Sequence, residues 1–219
     1  MNTATSSAAP GQHVPRGRID KRQAILDAAF TVFARHGFAL ACVQEIATEA
    51  GVAKPTVYNH LHDKETLFRH AMEAAANRAM AENLAVVDQL TDHGADVRAA
   101  LDEVGYQLLQ RHCDDRSWAL RRLLNAEVNR FPDLIDIAHA TGANRITQAL
   151  ADRVARLTLA GHLAATEPVE AAEQFLALLT GPMESRARLG TRPVPDRELR
   201  AVARAAVRTF LRAYGEGRA

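Results

Sequence analysis

Apolar residues recur at the spacing of an α-helix along almost the whole chain. The first ordered helix is predicted over residues 20–36, where one face carries Ile25, Leu26, Ala29, Phe30 and Phe33. Gly37 follows as a signal for the end of this helix. Alternating runs of Val, Ile, Thr and aromatic residues are missing, so the chain has little from which a sheet could form. The pattern therefore predicts an all-α protein.

Two short helices joined by a tight turn are predicted next. The second helix covers about residues 43–50, and the third begins at about Lys54. Gly51 suits the left-handed backbone of the turn between them. Val57 and Leu61 are four residues apart and are predicted to face inward. Two short helices, a three-residue turn and a bracing first helix make up the helix-turn-helix arrangement.

The outward face of the third helix carries a mixture of polar groups, namely Thr56, Tyr58, Asn59 and His60. A DNA major groove presents donors, acceptors and thymine methyl groups between walls of phosphate, and such a mixture suits it. A merely solvated helix would more often carry Glu, Lys and Gln four residues apart. All the lysines of the chain, Lys21, Lys54 and Lys64, also lie in this first part. Because such point charges suit phosphate, the pattern favours DNA binding.

The rest of the chain reads as a helical bundle. Asp63 is predicted to cap a fourth helix that continues into the Ala-rich region 74–87. The later helices are predicted over about 96–111, 117–128 with Ser117 as N-cap, 132–159 with Gly142 bending or dividing it, 167–189 with a kink at Gly181-Pro182, and 196–214.

Composition excludes some classes of protein but does not identify a binding partner. The formal net charge is +1, which by itself does not indicate nucleic-acid binding. The two cysteines, Cys42 and Cys113, lie far apart and outside any metal-ligand spacing, which favours a reducing cytoplasm. No apolar run has the length of a membrane span or a signal peptide. We therefore expect a cytoplasmic protein with no membrane association, no metal and no cofactor.

The N-terminal residues 1–18 are rich in Ser, Ala, Pro and Gly, and we expect them to be a disordered tail. The nearby basic residues Arg16, Arg18, Lys21 and Arg22 could instead form an arm for the minor groove. Such residues are more often part of a mobile terminus, so the tail is the favoured interpretation.

Two stretches near the N-terminus carry a specific motif. One is A-x-x-x-F within AILDAAFTVFARHGF, and the other, from Val43 to Phe68, is V-x-E-I-A-x-x-A-G-V-A-K-P-T-V-Y-N-H-L-x-D-K-E-x-L-F. In order, spacing and identity they resemble the tetracycline-repressor (TetR) family of transcriptional regulators. The later run RLLNAEVNRFPDLIDIAHATGANRITQAL is similar to the AefR-like C-terminal subgroup of that family.

The resemblance implies two domains and a dimer. Residues 19–65 would form the helix-turn-helix DNA-binding domain, and residues 66–219 a helical ligand-binding and dimerisation domain. The last two long helices, about 167–189 and 196–214, would pair in a homodimer. The implied partners are a double-stranded DNA operator and a small-molecule effector.

The resemblance also assigns residues to DNA. The corresponding positions are Gln44, Lys54, Pro55, Thr56, Tyr58, Asn59, His60 and Lys64. For Gln44 and Asn59, contact with bases and contact with phosphates both stay open, because the outcome depends on the docking angle. The family usually has Thr and then Ser or Thr where this chain has Ala41 and Cys42, so a phosphate-contacting hydroxyl and a helix cap are expected to be missing. Cys42 is expected to be a small buried filler.

Regions that surround the pocket in this family correspond here to His112, Trp118, Arg122, Phe131, Phe175 and Met183. Each of them alone is more simply read as a core side chain, whereas together some are expected to line a cavity. Aromatic residues make up only 5% of the chain, and Leu and Ala are abundant. This composition favours an apolar pocket with few polar anchors, and hence a hydrophobic or amphipathic effector.

The expected function is a ligand-responsive transcriptional regulator, and a repressor is favoured over an activator. An enzyme is disfavoured because the chain has no G-x-S-x-G elbow, metal-spaced His pair or Gly-rich phosphate loop, so no catalytic residue is expected. A helical adaptor with a vestigial DNA-binding head is a third possibility, favoured only by the departure at Ala41 and Cys42. The effector and the operator sequence stay open.

Overall fold

Eleven α-helices make up the part of the chain that the computed structural model describes, which is residues 16–90, 96–138 and 144–215. These residues contain no β-strand, which confirms the all-α prediction. The helices are α1 Arg16–Leu40, α2 Val43–Glu49, α3 Lys54–His60, α4 Lys64–Val87, α5 Val97–His112, α6 Asp115–Glu127, α7 Asp133–Ala138, α8 Asn144–Leu159, α9 Pro168–Thr180, α10 Met183–Ala187 and α11 Asp196–Tyr214. None of them is long and apolar enough to cross a membrane.

The predicted boundaries agree with these helices except at a few places. Helix α1 begins at Arg16, inside the segment expected to be a tail; residues 1–15 lie outside the described residues, as does Gly142. Helix α6 begins before Ser117, and its N-cap is Asp114, whose carboxylate accepts a 2.6 Å hydrogen bond from the Ser117 N–H. The kink predicted at Gly181-Pro182 is a complete break between α9 and α10.

Two hydrophobic cores hold the helices together, and α4 contributes to both. The first core contains α1, α2, α3 and the N-terminal half of α4, and it also includes Ala119, Leu123, Phe131 and Leu134 from α6, α7 and their connection. The second contains the C-terminal end of α4 with α5, α8, α9, α10 and α11. We call α1–α3 the head and α5–α11 the body. Because body residues lie in the first core, the head does not have a separate core of its own.

Two local features set the direction of the chain around the head. Gly37 has φ of 73° and ψ of 172°, so α1 is kinked there before its last turn. An L-residue with a side chain rarely adopts this backbone, which explains the glycine. At the start of α4, the Asp63 carboxylate accepts a 2.7 Å hydrogen bond from the Thr66 N–H, which confirms the predicted cap.

Candidate nucleic-acid interface and effector region

The third helix is held by one apolar residue within it and a second directly after it. Val57 is 0% and Leu61 1% exposed, and they lie in the first core together with Ile46 and Ala47 of α2. Gly51 has φ of 65°, which confirms the left-handed backbone predicted for the turn. Burial of this one side fixes which side of α3 is left for solvent or DNA.

The predicted DNA-contacting residues lie on that open side. Gln44 on α2 and Lys54, Pro55, Tyr58 and Asn59 on α3 are exposed, whereas Thr56 and His60 are half-buried. Tyr58 is 40% exposed, so part of its ring is accessible on the open side. An exposed aromatic ring among amide and ammonium groups is suited to pack against a sugar–phosphate wall or a base edge.

Lys64, the first residue of α4, is held in place by the end of α1. Its Nζ donates a 3.0 Å hydrogen bond to the carbonyl oxygen of Ala39 and lies 4.9 Å from the centroid of the Phe38 ring. An ammonium group has three N–H donors. Two donors are therefore left for an anion such as a DNA phosphate.

The start of α2 differs from the prediction. Cys42 occupies the N-cap position but is exposed, so the expectation of a buried filler is wrong. The buried neighbour is Ala41, which is 5% exposed. Glu45, which the sequence did not single out, accepts hydrogen bonds from Arg35 at 3.1 Å and lies 3.0 Å from His36 Nε2. These contacts lower the pKa of Glu45, with the bond to His36 as the main cause, and they tie α2 to α1.

A second group of side chains lies where α5 and α6 meet the loop after α10. The rings of His112 and Trp118 are 5.8 Å apart, and the Arg121 guanidinium lies 4.0 Å from the Trp118 ring centroid. Arg121 Nη2 also donates a 2.6 Å hydrogen bond to the His112 carbonyl. Arg122 Nη1 donates to the Leu189 carbonyl at 3.3 Å. We call His112, Trp118, Arg121 and Arg122 the tryptophan cluster.

The loop after α10 covers the tryptophan cluster closely. A Cβ atom at Gly190 would lie 2.4 Å from Trp118 Cγ, and Gly190 has φ of 82°. Both observations require glycine there. The preceding Arg188 and Leu189 also have positive φ, of 49° and 56°. Arg121 and Gly190 were not predicted as site residues, because neither belongs to a motif and only the fold brings them to Trp118.

His112 is an unusual histidine in its protonation. Burial, together with the positive charge of Arg121, lowers its pKa from 6.5 to about 4. Its buried Nε2 has no hydrogen-bond partner within the described residues. The imidazole is therefore neutral at physiological pH and presents one unpaired nitrogen.

The other predicted effector residues lie elsewhere. Phe131 is in the first core, with its ring centroid 5.1 Å from that of Phe38 in the head. Phe175 and Met183 are fully buried in the second core, where Phe175 contacts Phe210 at 5.0 Å between ring centroids. The structure therefore brings together His112, Trp118 and Arg122 but places the remaining three in two separate cores.

Comparisons with known proteins agree with this architecture. Residues 25–71 match the model for bacterial regulatory proteins of the tetR family, and residues 99–216 match that for the C-terminal domain of AefR-like transcriptional repressors. The HTH-type transcriptional regulator YfiR of Bacillus subtilis (strain 168) is 30% identical over 148 residues, which cover 60% of this chain and 72% of YfiR.

Two solved structures are similar over nearly the whole chain. A TetR-family transcriptional regulator from Mesorhizobium loti MAFF303099 has a TM-score of 0.83 and 29% identity, covering 92% of this chain and 100% of that one. The flavonoid-responsive regulator FrrA has a TM-score of 0.66 and 27% identity, covering 91% of this chain and 99% of that one.

A helix-turn-helix head joined to an α-helical body defines a DNA-binding transcriptional regulator. The chain belongs to the TetR family, and its C-terminal domain is of the AefR-like type. The resemblance seen in residues 43–68 is thereby confirmed. The matched families and relatives are transcriptional regulators, which is the class that the sequence favoured over an enzyme.

The protonation of His112 predicts a specific acid sensitivity. Between pH 6.5 and about 4 the unfolded chain binds a proton at His112 that the folded chain does not. Stability should therefore fall as the pH falls through this window, by about 3 kcal/mol in total from this one group. Urea unfolding at several pH values should show a weaker dependence in His112→Gln than in the unaltered protein.

The matched control for this measurement is His62→Gln, because His62 is exposed. This variant should keep the pH dependence of the unaltered protein. If His112→Gln also keeps it, His112 is protonated in the folded state and the assignment of a neutral imidazole is wrong.

Proposed function

We propose that the protein is a repressor that binds a palindromic DNA operator as a homodimer and is released from it by a hydrophobic or amphipathic small molecule. The observation that carries the proposal is the burial of Val57 and Leu61, which turns the polar side of α3 outward. The match of residues 99–216 to AefR-like repressors supports repression over activation. Operator binding would take place in the cytoplasm, where the DNA is.

The DNA contacts proposed are those of the open side of the head. In a dimer, two copies of α3 would enter successive major grooves about 34 Å apart. Lys54 and Lys64, with His60, are assigned to phosphates, and Thr56, Pro55 and Tyr58 to the groove and its wall. Gln44 and Asn59 reach either bases or phosphates. The exposure of Gln44, Lys54, Pro55, Tyr58 and Asn59 supports these assignments.

The proposed dimer forms through the helices near the C-terminus, α9, α10 and α11. A shallow groove of about 210 Å³ runs between them, lined by Leu178, Pro182, Arg186, Ala201, Val202, Ala205, Ala206 and Thr209. Ala201, Ala205 and Thr209 are exposed and lie four residues apart on one side of α11. Small side chains at this spacing permit a second helix to approach closely, which supports pairing with a second copy.

The proposed effector region is centred on the tryptophan cluster. An indole, a neutral imidazole and two guanidinium groups suit a ligand with an aromatic body and a few polar atoms. The similarity to FrrA, which is named as flavonoid-responsive, supports the same class, since flavonoids are amphipathic aromatic molecules. Phe175 and Met183, which the resemblance assigned to the pocket, lie in the second core and are not part of this proposed region.

Helix α6 supplies a route from this region to the head. Its Trp118, Arg121 and Arg122 belong to the tryptophan cluster, whereas Ala119 and Leu123 lie in the first core. At its start, Arg116 Nη2 lies 2.7 Å from the Asp27 carboxylate of α1. Asp27 also pairs with Arg78 of α4 at 3.3 Å. A ligand that displaces α6 would therefore act on α1 and α4 together, and the separation of the two heads would change.

Removal of the Lys54 side chain should weaken DNA binding without changing sequence preference. We expect Lys54→Ala to lower the slope of log affinity against log salt by about one, because one phosphate contact is lost. The measurement is a salt titration on an operator found by selection from random DNA and on an unrelated duplex. Arg197→Ala, which removes an exposed cation at the start of α11, should leave the slope unchanged. An unchanged slope in Lys54→Ala would contradict the assignment.

An effector should change operator affinity severalfold to about a hundredfold, the usual range for allosteric coupling. Flavonoids and other amphipathic aromatic compounds should raise the melting temperature, and Trp118→Leu should reduce both this shift and the release from DNA. Operator affinity of Trp118→Leu without ligand should be unaltered. Stabilisation by strongly charged, hydrophilic metabolites alone would refute the ligand class. Equal operator affinity with and without a bound compound would show that the protein binds DNA but that the compound does not regulate this binding.

A large charged side chain in the groove should separate the dimer. Ala205→Arg is expected to shift the protein toward monomer in analytical ultracentrifugation and to weaken operator binding by about tenfold or more, since two linked heads bind far better than one. The matched control is Ala85→Arg on α4, which places the same charge on another exposed helical alanine. A dimer that survives Ala205→Arg but not Ala85→Arg would place the interface elsewhere.

A further inference from the structure

Phe131 connects the body to the head through its aromatic ring. It lies in the connection between α6 and α7 and is 1% exposed. Its ring centroid is 5.1 Å from that of Phe38 in α1 and 5.0 Å from that of Phe68 in α4. Phe38 and Phe68 contact each other at 5.1 Å, and Phe33 contacts Phe68 at 4.9 Å. We call these four residues the phenylalanine cluster.

Phe38 is the member of this cluster that contacts Lys64. The kink at Gly37 turns its ring inward, where it is 4% exposed, and brings the Ala39 carbonyl to Lys64. The ammonium of Lys64 lies 4.9 Å from the Phe38 centroid. The guanidinium of Arg130, which precedes Phe131 in the chain, lies 4.5 Å from the same centroid. The first residue of α4 and a body residue thus hold cations against one aromatic ring of the head.

Two ion pairs fasten the first turns of α4 to the same connection. Arg130 Nη2 lies 2.6 Å from Glu65 Oε1, next to Lys64 in the chain. Arg69, one turn further along α4, pairs with Asp133 and lies 4.7 Å from the Phe131 ring centroid. The residues from Arg130 to Asp133 therefore contact the first turns of α4, while the Phe131 ring between them contacts α1.

We propose that Phe131, together with Arg130, is a positioning residue for DNA binding, acting through Phe38 to hold the Lys64 ammonium where it meets a DNA phosphate. A side chain that is already restrained loses less conformational entropy when it binds. The ring beneath Lys64 and the Ala39 carbonyl supply this restraint, and Phe131 fixes the ring. The inference rests on the proposed contact between Lys64 and phosphate. Phe131, expected from the sequence to line the effector pocket, thereby has a role at the other end of the body.

The test is a set of double-mutant cycles on operator DNA, read out as affinity and as salt slope. Lys64→Ala should lower the slope by about one. Phe131→Leu should weaken binding by about threefold to tenfold, a usual size for coupling between residues that share a partner, here Phe38, and should also lower the slope. In the Lys64→Ala background, Phe131→Leu should have little further effect on either quantity.

Two further variants separate positioning from loss of stability. Phe175→Leu removes a buried ring of the second core, far from Lys64, and should lower the melting temperature without changing the slope. Arg130→Gln acts at a side chain that is 53% exposed, so it tests the same coupling without opening the core, even if Phe131→Leu fails to fold. Its effect on affinity should also shrink when Lys64 is absent.

The outcomes distinguish this inference from the function on which it rests. If Lys64→Ala leaves the slope unchanged, the proposed phosphate contact fails. If Lys64→Ala lowers the slope but Arg130→Gln and Phe131→Leu add to it independently, the contact stands and the positioning role is refuted. An equal loss of affinity in Phe131→Leu and Phe175→Leu, with both slopes unchanged, would also refute the positioning role. Phe131 would then contribute only to the stability of the core.

Discussion

A helix of seven residues is too short to be stable alone in water, because it forms few hydrogen bonds after its costly first turn. The third helix, α3, is such a helix. It therefore depends on tertiary contacts, and the burial of Val57 and Leu61 against α2 supplies them. The same burial decides which polar residues face outward. In this protein, the stability of α3 and the orientation of its polar side follow from one interaction.

The head is in turn stabilised by the body. Residues of α6, α7 and their connection complete the first core, and Asp27 of α1 binds arginines from both α4 and α6. A small three-helix unit buries little apolar surface by itself, so this completion contributes to its stability. Because α6 contacts the head directly, a change in the position of α6 would also change the position of the head residues it contacts. The contacts that stabilise the head are thus the same ones through which the proposed effector response would reach it.

Several features that depend only on residues close together in the chain were predicted correctly from the sequence. The cap at Asp63, the left-handed glycines Gly37 and Gly51 and the limits of α11 all depend on contacts within one turn of helix or one tight loop. The start of α6 was misplaced by a few residues because Asp114 and Ser117 both suit a cap, and the carboxylate that reaches the Ser117 N–H takes the role. Cys42 was expected to be buried because cysteine usually is, yet its position at the start of α2 leaves it exposed.

The sequence by itself determined the helical class, the helix-turn-helix and the inward pair Val57 and Leu61, because helical periodicity and turn chemistry are local properties. Only the tertiary structure decided the partners of Phe131, which lies in a connection with no periodic neighbours to indicate a face. The same holds for the tryptophan cluster, in which Gly190 meets Trp118 across a long stretch of chain. The sequence can predict that a residue is buried. Which residue it then contacts depends on how distant helices pack, and that is a property of the whole fold.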